Sequence, residues 1–463
     1  MFNSKNIINI DSIIIKKLDC KKPCFASLHQ SFPQQFPAIL ESVVLQSNQR
    51  NWDIVFAFPS DVIELTADDI LKNTINESPD FFESINLWYK KEQVIDSTPY
   101  PFIGGWFIYC SYDLSLHVEE KLKLLPKTNS EQPIALAMRI HSALIWDHEN
   151  NQLLIIAEKG YEHLIDEIES KLNQFNLLDF NPKYLLEKPL REEDPEKFIN
   201  AVKKIKQYIY DGDVFQVNMS RQWQGKLKAN VTASQLYHQL KQANPAPFSG
   251  LMSYKGYSVI SSSPERLVKL DGNIVSTRPI AGTRPRNHQT SNDNATTDEL
   301  IRHPKERAEH IMLIDLERND LGRICVPGSI NVNEMMVVEN YQHVHHIVSN
   351  IVGQLDASFL PGDIIKAIFP GGTITGCPKV RCMQIITELE GMRRGAYTGS
   401  MGYLSRDGKM DSNILIRSIE VFNDGLLSFR AGAGIVADSI EAKEVEETRA
   451  KAKGMKLALT GKF

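Results

Sequence analysis

Short β-type segments follow one another in the middle of the chain without a helix between them. Strand-like segments occur at Tyr257–Ser263, Arg266–Leu270 and Ile274–Arg278, and the next helical pattern begins near Lys305. A Rossmann fold or a TIM barrel requires strands and helices to alternate regularly, so this order argues against both. The sequence therefore predicts an α+β fold of mixed, mainly antiparallel sheets covered by helices.

Helix and strand signals divide the chain into two regions. The Asp-Pro-Glu sequence at 194–196 predicts a helix that runs through Tyr210, because proline is favoured in the first turn. A polar connector precedes this helix, so residues 1–180 and 194–455 are predicted to form two regions of one compact unit. Further strands are predicted at Asp53–Phe58, Ile134–Ile145, Gln152–Ala157, Val214–Trp223, Met401–Ser405, Ile414–Val421 and Leu426–Arg430, and further helices at Lys305–Arg318, Gly362–Ile368 and from about Ile440.

The composition excludes several classes of protein. The chain has 463 residues, 42% hydrophobic and 24% charged, and its net charge of −5 comes from interspersed signs. Such a chain can bury a large core, and it presents no basic surface of the kind that binds nucleic acid. No apolar run approaches the length of about 18 residues that a membrane span needs. Because six scattered cysteines are typical of reduced thiols, we expect a cytoplasmic protein with no membrane contact.

Two acidic segments give the first indication of a functional site. Glu306 and Glu309 lie three residues apart in one predicted helix, and Glu444 and Glu447 repeat that spacing in the last one. On a helix this spacing places both carboxylates on one face. Such pairs usually face water, but two converging helices would form an acidic pocket. The neighbouring basic, glycine-rich and histidine-containing segments suit a small dianionic substrate bridged to a metal ion.

Two glycine-rich segments are suited to hold an anion. Residues 369–379, FPGGTITGCPK, have the glycine interval of a phosphate loop but lack its Lys-Ser/Thr, so nucleotide binding is excluded. Their backbone N–H groups, with Lys379 and Arg381, can hold a carboxylate, and a plain glycine turn is the alternative. Segment 431–434, AGAG, is predicted to follow a strand. Arg417 before it can add a bidentate contact to a carboxylate or form a structural ion pair.

The segment QHVHHIVS, residues 342–349, is predicted to be a strand with histidines on both faces. His343 and His345 share one face and His346 lies on the other, which argues against a metal site built from all three. One histidine acting as an acid or base is the stronger interpretation, because the imidazole pKa is near neutral. In the segment RPIAGTRPR, Thr283 can donate a hydrogen bond, whereas Ala281 offers no reactive group.

Eight short motifs, taken together and in order, resemble one enzyme family. From Pro195 to Lys453 the chain contains SSSPE, PIAGT, KERAEH, DLxRND, HVxH, GYLS, AGAGIVADS and a closing ExxE. This order is similar to the chorismate-binding enzymes, which include anthranilate synthase, aminodeoxychorismate synthase component I and the isochorismate and salicylate synthases. The N-terminal PFIGGWFIYCSYDL resembles the amino-transferring branch. The resemblance implies one large α/β sandwich in which two opposed, mainly antiparallel sheets cradle the active site.

The resemblance also implies roles for individual residues. Glu309, Glu444 and Glu447 would ligate Mg2+, which keeps waters and bridges to the substrate. Glu265 and His346 would act as acid and base groups, with Thr283 as a hydrogen-bond donor. The residues implied in binding chorismate are Gly282, Thr283, Gln216, Thr375, Gly376, Tyr397, Arg417, Gly432, Ala433, Gly434 and Lys451.

Gln216 distinguishes between branches of the family. Members that use water carry a lysine base at this position, and glutamine cannot take a proton from water, so the resemblance implies ammonia as the nucleophile. The QVN sequence at 216–218 and PGGTITG at 370–376 are similar to aminodeoxychorismate synthases, whereas anthranilate synthases tend to have QVV and PAGTVSG. Ala281 instead resembles the anthranilate synthases, because many aminodeoxychorismate synthases have a lysine there that attacks the ring.

The predicted activity is amination of chorismate to 4-amino-4-deoxychorismate, for 4-aminobenzoate and folate synthesis, without that lysine. Anthranilate synthase component I is the first alternative. A non-catalytic tryptophan-binding paralogue is the second, disfavoured by the intact acidic and histidine residues. Nothing in the chain resembles a glutaminase, so ammonia is expected from a separate glutamine amidotransferase subunit.

An N-terminal segment resembles the tryptophan pocket of the amino-transferring branch. Bound tryptophan and a purely structural hydrophobic turn are both open interpretations. The residues of this predicted pocket are Ser42, Gln49, Arg50, Asn51, Trp52, Pro247, Phe248 and Ser249.

Overall fold

The computed structural model describes residues 3–45, 50–96, 98–119, 121–122, 132–177, 181–285, 304–340 and 344–463. Within these ranges, only the backbone is described at 3–6, 281–285, 304–306, 340 and 344–346. The helices are α1 Phe25–Ser31, α2 Phe81–Glu92, α3 Ser115–Val118, α4 His163–Gln174, α5 Pro195–Tyr210, α6 Ala233–Ala243, α7 Pro304–Leu321, α8 Pro361–Ile368, α9 Lys379–Glu390 and α10 Glu441–Thr460.

The strands of the described ranges are β1 Asn3–Asn9, β2 Ile13–Asp19, β3 Ala38–Glu41, β4 Trp52–Leu65, β5 Leu71–Lys72, β6 Gly105–Cys110, β7 Ala135–Asp147, β8 Gln152–Glu158, β9 Arg191–Glu192, β10 Gln216–Lys226, β11 Phe248–Tyr254, β12 Tyr257–Ser263, β13 Arg266–Asp271, β14 Ile274–Arg278, β15 Ile280–Pro285, β16 Asn331–Asn340, β17 Val344–Gln354, β18 Gly376–Cys377, β19 Ser400–Ser405, β20 Met410–Asn413, β21 Ser418–Val421 and β22 Leu426–Ile435.

The strands form two arms that branch from the long central pair β4–β7. The first arm continues from β4 through β3, β11, β12, β21 and β22 to β10. The second continues from β7 through β6, β19, β20, β13 and β14 to β17, which also pairs with β15 and β16. Every strand pair in the described part of the chain is antiparallel, so the predicted fold class is confirmed.

The two arms pack face to face through one apolar cluster. Met252 and Val259 of the first arm contact the same cluster as Phe107 and Met401 of the second, and all four are fully or almost fully buried. Burying side chains of this size stabilises the folded chain by about 1.5–3 kcal/mol each. The opposed sheets implied by the family resemblance are therefore the two arms of one hydrogen-bonded network.

Helix α5 illustrates how the local sequence sets an element boundary. The Asp194 carboxylate accepts a hydrogen bond from the Glu196 N–H at 3.0 Å, and Pro195 occupies the first turn. The face that contains Phe198 and Ile205 is buried against β10 and the last helix. The predicted bounds of this helix are confirmed at both ends.

Two predicted boundaries near the later site are wrong. The predicted strand Ile414–Val421 contains only β21 at its end, because Arg417 adopts a left-handed backbone φ of 53° that interrupts a strand. Segment 431–434 does not follow a strand but lies inside β22, which continues to Ile435 because it pairs with β10 along its whole length. In the described ranges, no helix is long and apolar enough to cross a membrane.

Candidate active site

A cavity of about 160 Å³ lies where β10 and β22 of the first arm approach β15 of the second. Strand β22 pairs with β21 only as far as Phe429, so beyond that residue its second edge faces the cavity. Two residues of α10, Lys451 and Met455, also line the cavity. The polar side chains that line the cavity are Asn218, Glu265, Thr373, Tyr397, Arg417, Arg430 and Lys451.

Glu265 lies in the turn between β12 and β13, with only 4% of its surface exposed. The Ile280 N–H donates to its Oε1 at 3.4 Å. Burial raises the pKa of Glu265 to about 7, and hydrogen bonding and the nearby charges of Lys451 and Arg417 offset burial only in part. A carboxyl group with this pKa can hold a proton at neutral pH and transfer it to a leaving group.

Arg417 and Lys451 supply positive charge to the cavity. No described residue forms a hydrogen bond or ion pair with the Arg417 guanidinium. Burial lowers the pKa of Arg417, and the negative charge of Glu265 offsets this lowering in part. Lys451 Nζ donates to the Gly432 carbonyl at 3.1 Å and pairs with Glu447 at 2.8 Å. A guanidinium held in a cavity can bind a carboxylate through two parallel hydrogen bonds, so the arrangement suits an anionic ligand.

Gly432 and Gly434 allow side chains to pack directly against the backbone of β22. A Cβ at Gly434 would lie 2.3 Å from Gln216 Nε2, and one at Gly432 would lie 2.7 Å from the Tyr397 hydroxyl. At these distances a Cβ would force the neighbouring side chains to move, and at Gly432 it would also lie 2.7 Å from the Met219 carbonyl oxygen. Gln216 Nε2 consequently reaches Glu309 on α7 and donates to its Oε1 at 2.8 Å.

The three carboxylates expected to bind Mg2+ come from two helices. Glu309 belongs to α7, while Glu444 and Glu447 belong to the first two turns of α10. Within the described ranges, no group of three or more acidic, histidine or cysteine side chains is close enough to hold a metal ion. The chemistry of the donors nevertheless fits Mg2+, because this ion is commonly bound by one or two carboxylates and keeps several waters.

Comparison with known proteins identifies the family. The model for "chorismate binding enzyme" matches residues 41–457, which include both arms and the cavity. The chain is a chorismate-binding enzyme. The recognition from sequence motifs is thereby confirmed at the level of the family.

Similar proteins place this chorismate-binding enzyme among the anthranilate and aminodeoxychorismate synthases. It is 39% identical to aminodeoxychorismate synthase component 1 of Bacillus subtilis over 396 residues, 82% of each chain. It is 35% identical to anthranilate synthase component 1 of Synechocystis over 475 aligned positions, covering 94% of this chain and 93% of the relative. The crystal structure of anthranilate synthase component I from Streptococcus pneumoniae superimposes with a TM-score of 0.77 at 31% identity, covering 89% of this chain and 94% of that one.

Several predicted site residues of the enzyme have a described backbone but no described side chain. Gly282 and Thr283 lie in β15 and His346 lies in β17, and Thr283 stands opposite His346 in the register of these two strands. The roles predicted for them therefore stay predictions. The side chain of Glu306 and the whole of His343 also lie outside the described set.

The glycine-rich loop before α9 engages its polar groups internally. The Thr375 hydroxyl donates to the carbonyls of Gly371 and Gly372 at 3.0 and 3.1 Å, and a Cβ on Gly376 would lie 2.1 Å from the Gln216 carbonyl oxygen. Gly376 pairs with Val217 of β10, and the Thr375 carbonyl accepts a hydrogen bond from the Asn218 N–H at 2.9 Å. Neither Thr375 nor Gly376 is among the residues that line the cavity, and their contact with chorismate stays a prediction.

Two cations of this loop region are likewise engaged elsewhere. Lys379 is buried against the Asp320 carboxylate and donates to the Pro370 carbonyl at 2.9 Å. Arg381 pairs with Asp213 at 2.6 Å on the surface. Neither lines the cavity, whereas the cations Arg417, Arg430 and Lys451 do.

A second cavity, of about 90 Å³, is lined by the residues predicted for a tryptophan pocket. Gln49 lies outside the described residues. Arg50 stacks on Trp52 at 4.2 Å and pairs with Asp147 at 2.7 Å, so its guanidinium is held at the rim. The predicted residues that line this cavity are Ser42, Arg50, Asn51, Trp52, Pro247, Phe248 and Ser249.

Sequence reasoning did not assign Asn218, Thr373 or Arg430 to the site, although all three line the cavity. A signal for Asn218 was available, because residues two apart on a strand share one face and Gln216 was already a predicted site residue. Arg430 stands in the same relation to Gly432 on β22. Thr373 belongs to a loop, where the sequence has no periodicity that would indicate the direction of a side chain.

Proposed function

We propose that this enzyme converts chorismate and ammonia into 4-amino-4-deoxychorismate, a precursor of 4-aminobenzoate and folate. The observation that carries the proposal is Gln216, whose amide is held on Glu309 at 2.8 Å where water-using relatives have a lysine base. An amide has no basic nitrogen, so it cannot generate hydroxide from water. Ammonia is already a nucleophile when neutral and needs no such base.

Substrate binding is assigned to the cations and the tyrosine of the cavity. Arg417 and Lys451 would hold carboxylates of chorismate, since both line the same space and the guanidinium of Arg417 has no described partner. Burial raises the pKa of Tyr397 to about 12, so its hydroxyl remains a hydrogen-bond donor at neutral pH. These contacts would orient the ring beside Glu265.

Glu265 is assigned the role of the acid that assists departure of the ring hydroxyl. The C–O bond breaks as the carboxyl proton moves to the leaving oxygen, which departs as water. Ammonia forms the new C–N bond with its lone pair, and the resulting ammonium group loses one proton. That proton can return to the Glu265 carboxylate or pass to solvent, so atoms and charge balance.

Mg2+ belongs to this proposal through Glu309 and Glu447, which would hold it together with water molecules, and Glu444 is the adjacent carboxylate. When bound, the ion would supply positive charge at the ring carboxylate and stabilise charge that develops as the hydroxyl leaves. The chain would contribute carboxylates from α7 and α10. Gln216 donates to Glu309, and Lys451, which lines the cavity, pairs with Glu447.

Two further parts of the proposal concern the setting of the enzyme. Ammonia would come from a separate glutamine amidotransferase subunit, in line with relatives whose names designate them as component 1. A cytoplasmic location remains a prediction from the reduced cysteines. Tryptophan as a ligand of the second cavity is likewise a prediction.

Anthranilate synthase activity is the second candidate, and Ala281 favours it. Many aminodeoxychorismate synthases have a lysine at this position, so the proposed reaction must proceed here by direct addition of ammonia. Relatives named for both activities match the chain over most of its length. Asn218 and Gly371 support the aminodeoxychorismate assignment.

A product assay separates these candidates. Purified enzyme would be incubated with chorismate, Mg2+ and ammonium salt, with and without added aminodeoxychorismate lyase, and analysed by mass spectrometry. The proposal expects 4-aminobenzoate only when the lyase is present. Anthranilate formed without the lyase would overturn it and assign the second activity.

A further inference from the structure

The turn that contains Tyr397 is held by two buried carboxylates from opposite arms of the fold. The Glu420 carboxylate of β21, in the first arm, accepts a hydrogen bond from the Ala396 N–H at 3.0 Å. The Asp113 carboxylate, in the turn that follows β6 of the second arm, accepts one from the Gly395 N–H at 3.3 Å. Two successive backbone donors directly before Tyr397 are therefore bonded to both arms.

The backbone of this turn depends on contacts from outside it. Gly395 and Thr398 both have a left-handed conformation, with φ of 62° and 63°. That conformation is strained for a β-branched residue such as threonine, so surrounding groups must hold the turn in place. The Thr398 N–H donates to the Leu415 carbonyl at 2.8 Å. A Cβ at Gly395 would lie 2.6 Å from a Glu420 carboxylate oxygen, so this carboxylate packs directly against the turn.

Glu420 is itself held in one orientation by three further donors. The Tyr257 hydroxyl and the Gln132 amide each donate to its Oε1 at 2.7 Å, and the Ser428 hydroxyl donates to its Oε2 at 3.3 Å. Only 6% of the Glu420 surface is exposed. Because both oxygens are bonded, the carboxylate defines where the Ala396 N–H can lie.

The two carboxylates destabilise each other. Burial raises the pKa of Asp113 to about 7 although the charge of Arg393 opposes this rise, and the charge of Glu420 adds to it. Burial also raises the pKa of Glu420. Apolar residues at these positions would avoid that cost, so the arrangement indicates a demand for hydrogen-bond acceptors at this turn. Neither carboxylate is among the residues that line the active-site cavity.

We propose that Asp113 and Glu420 are positioning residues that set the Tyr397 hydroxyl for chorismate binding. The inference rests on the binding role that the proposed function gives to Tyr397. A Cβ at Gly432 would lie 2.7 Å from this hydroxyl, so its place is closely confined by β22 and a shift of the turn would move it away from a bound ring. The N-terminal motif of residues 101–114, which ends in Tyr-Asp-Leu, thereby acts on the cavity of the catalytic region.

The test measures the dissociation constant of chorismate by isothermal titration calorimetry, with Mg2+ present and ammonium absent so that no amination occurs. Glu420→Met and Asp113→Leu each remove an acceptor for one backbone N–H. Both should raise the constant about threefold to tenfold, the range expected when one hydrogen bond to a ligand is lost. Glu420→Gln and Asp113→Asn retain an acceptor oxygen and should stay within twofold of the wild type.

Glu64→Met is the matched control for the loss of a buried carboxylate. Glu64 of β4 is 7% exposed and accepts hydrogen bonds from the Tyr254 hydroxyl at 3.0 Å and from Lys255 Nζ at 2.7 Å. It is not among the residues that line the cavity. Its replacement should lower the melting temperature and leave the chorismate dissociation constant within twofold, which separates lost stability from lost positioning.

A double-mutant cycle with Tyr397→Phe shows whether the carboxylates act through Tyr397. Tyr397→Phe alone should weaken chorismate binding threefold to tenfold, and adding Glu420→Met should weaken it by less than a further twofold, because the hydroxyl is already absent. Additive effects would overturn the inference. So would a wild-type constant in both Glu420→Met and Asp113→Leu. If circular dichroism shows that Glu420→Met does not fold, the cycle is run with Asp113→Leu, which leaves the donors to Glu420 in place.

The outcomes also separate this inference from the proposed function. If Tyr397→Phe alone leaves chorismate binding unchanged, the binding role of Tyr397 fails and the inference fails with it. The titration contains no ammonia, so an unexpected product in the amination assay would overturn the proposed reaction alone. Weaker binding in Glu420→Met and Asp113→Leu, with recovery in Glu420→Gln and Asp113→Asn, is the result that the inference predicts.

Discussion

Glu265 is placed to control the pH dependence of the enzyme, because burial raises the pKa of its carboxyl to about 7. The acid form is the active one in the proposed reaction, so at a fixed concentration of neutral ammonia turnover should be highest below pH 7 and fall as the pH rises through that value. Glu265→Gln cannot transfer a proton and should lower turnover by about 100-fold or more, with little change in the Michaelis constant for chorismate. A pH–rate profile of the wild type with an alkaline limb only above pH 9 would contradict this role.

Arg417 should contribute to substrate binding more than any surface arginine nearby. Replacing it with methionine removes a charged donor pair worth about 1.5–3 kcal/mol, so the chorismate constant should rise by about 10-fold to 100-fold. Arg381→Met is the matched control, because Arg381 is an exposed partner of Asp213 outside the cavity and should change that constant less than twofold. Equal effects of the two substitutions would show that the cavity is not the chorismate site.

Several site residues could be predicted from sequence because their roles depend on local chemistry. The small residues of segment 431–434 predict close approach of the backbone to an anion, which stays a prediction, and the structure adds that a Cβ at 432 or 434 would lie within 2.7 Å of Tyr397 or Gln216. Thr375 shows the limit of that reasoning. Its hydroxyl donates to its own loop, and the direction in which a loop side chain points depends on backbone dihedral angles that composition does not specify.

At the scale of secondary structure, one buried ion-pair network connects the elements around the cavity. Arg394, which follows α9, donates to Glu390 at 2.8 Å and to the Asn218 carbonyl at 2.7 Å, and it also reaches the Ile374 carbonyl at 3.2 Å. Arg430 of β22 pairs with the same glutamate at 3.1 Å. Two arginines and one carboxylate thus connect helix α9, the loop before it and strands β10 and β22.

This network predicts a large stability loss for Arg394→Met. The substitution leaves part of the buried Glu390 charge and two backbone carbonyls without partners, so the free energy of unfolding should fall by about 3–5 kcal/mol. Arg449→Met, which removes an exposed arginine paired with Glu192 and Glu446, should cost less than about 1 kcal/mol. Urea denaturation measures both, and similar losses would contradict the importance of the buried pair.

The same network sets a pH dependence of stability. Burial alone would raise the pKa of Glu390, but Arg394 and Arg430 outweigh burial and lower it to about 2. A carboxyl whose folded-state pKa is depressed stabilises the fold above its unfolded pKa of about 4.3. That contribution is lost as the pH falls from there toward 2, so the wild type should lose more stability over this interval than Arg394→Met.

At the scale of the whole molecule, the fold places the candidate active site and the second cavity in one continuous sheet network. Arg266 and Asp411, which line the second cavity, form a bidentate pair at 2.8 and 3.1 Å between β13 and β20. Glu265 immediately precedes Arg266. A ligand in the second cavity would therefore contact the strand that begins next to the proposed acid.

Tryptophan should raise the melting temperature of the enzyme if the second cavity binds it. At about 100 times its dissociation constant, a ligand that binds only the folded state stabilises it by about 2.7 kcal/mol, which corresponds to an upward shift of a few degrees. A thermal-shift titration with tryptophan, with alanine as the control ligand, measures this. A flat titration would assign the cavity a structural role.

The overall architecture could be predicted only in part from local sequence. The irregular order of strands and helices indicated an α+β fold, and short motifs identified the family. The arms depend on pairs such as β3 with β11 and β6 with β19, whose partners lie some 200 to 300 residues apart in the chain. Local propensity does not encode such pairings, so the opposed arms followed from family resemblance rather than from periodicity.

The most direct test of the central claim uses 15N-labelled ammonium salt with chorismate, Mg2+ and the purified enzyme alone. The proposed amination predicts one product that retains the chorismate side chain and carries one 15N in place of the ring hydroxyl, in an amount that rises with pH-corrected ammonia concentration. An unlabelled isomer of chorismate, or labelled anthranilate, would contradict the proposed reaction. The first would show that water is the nucleophile, and the second that Ala281 is a better guide to the product than Asn218.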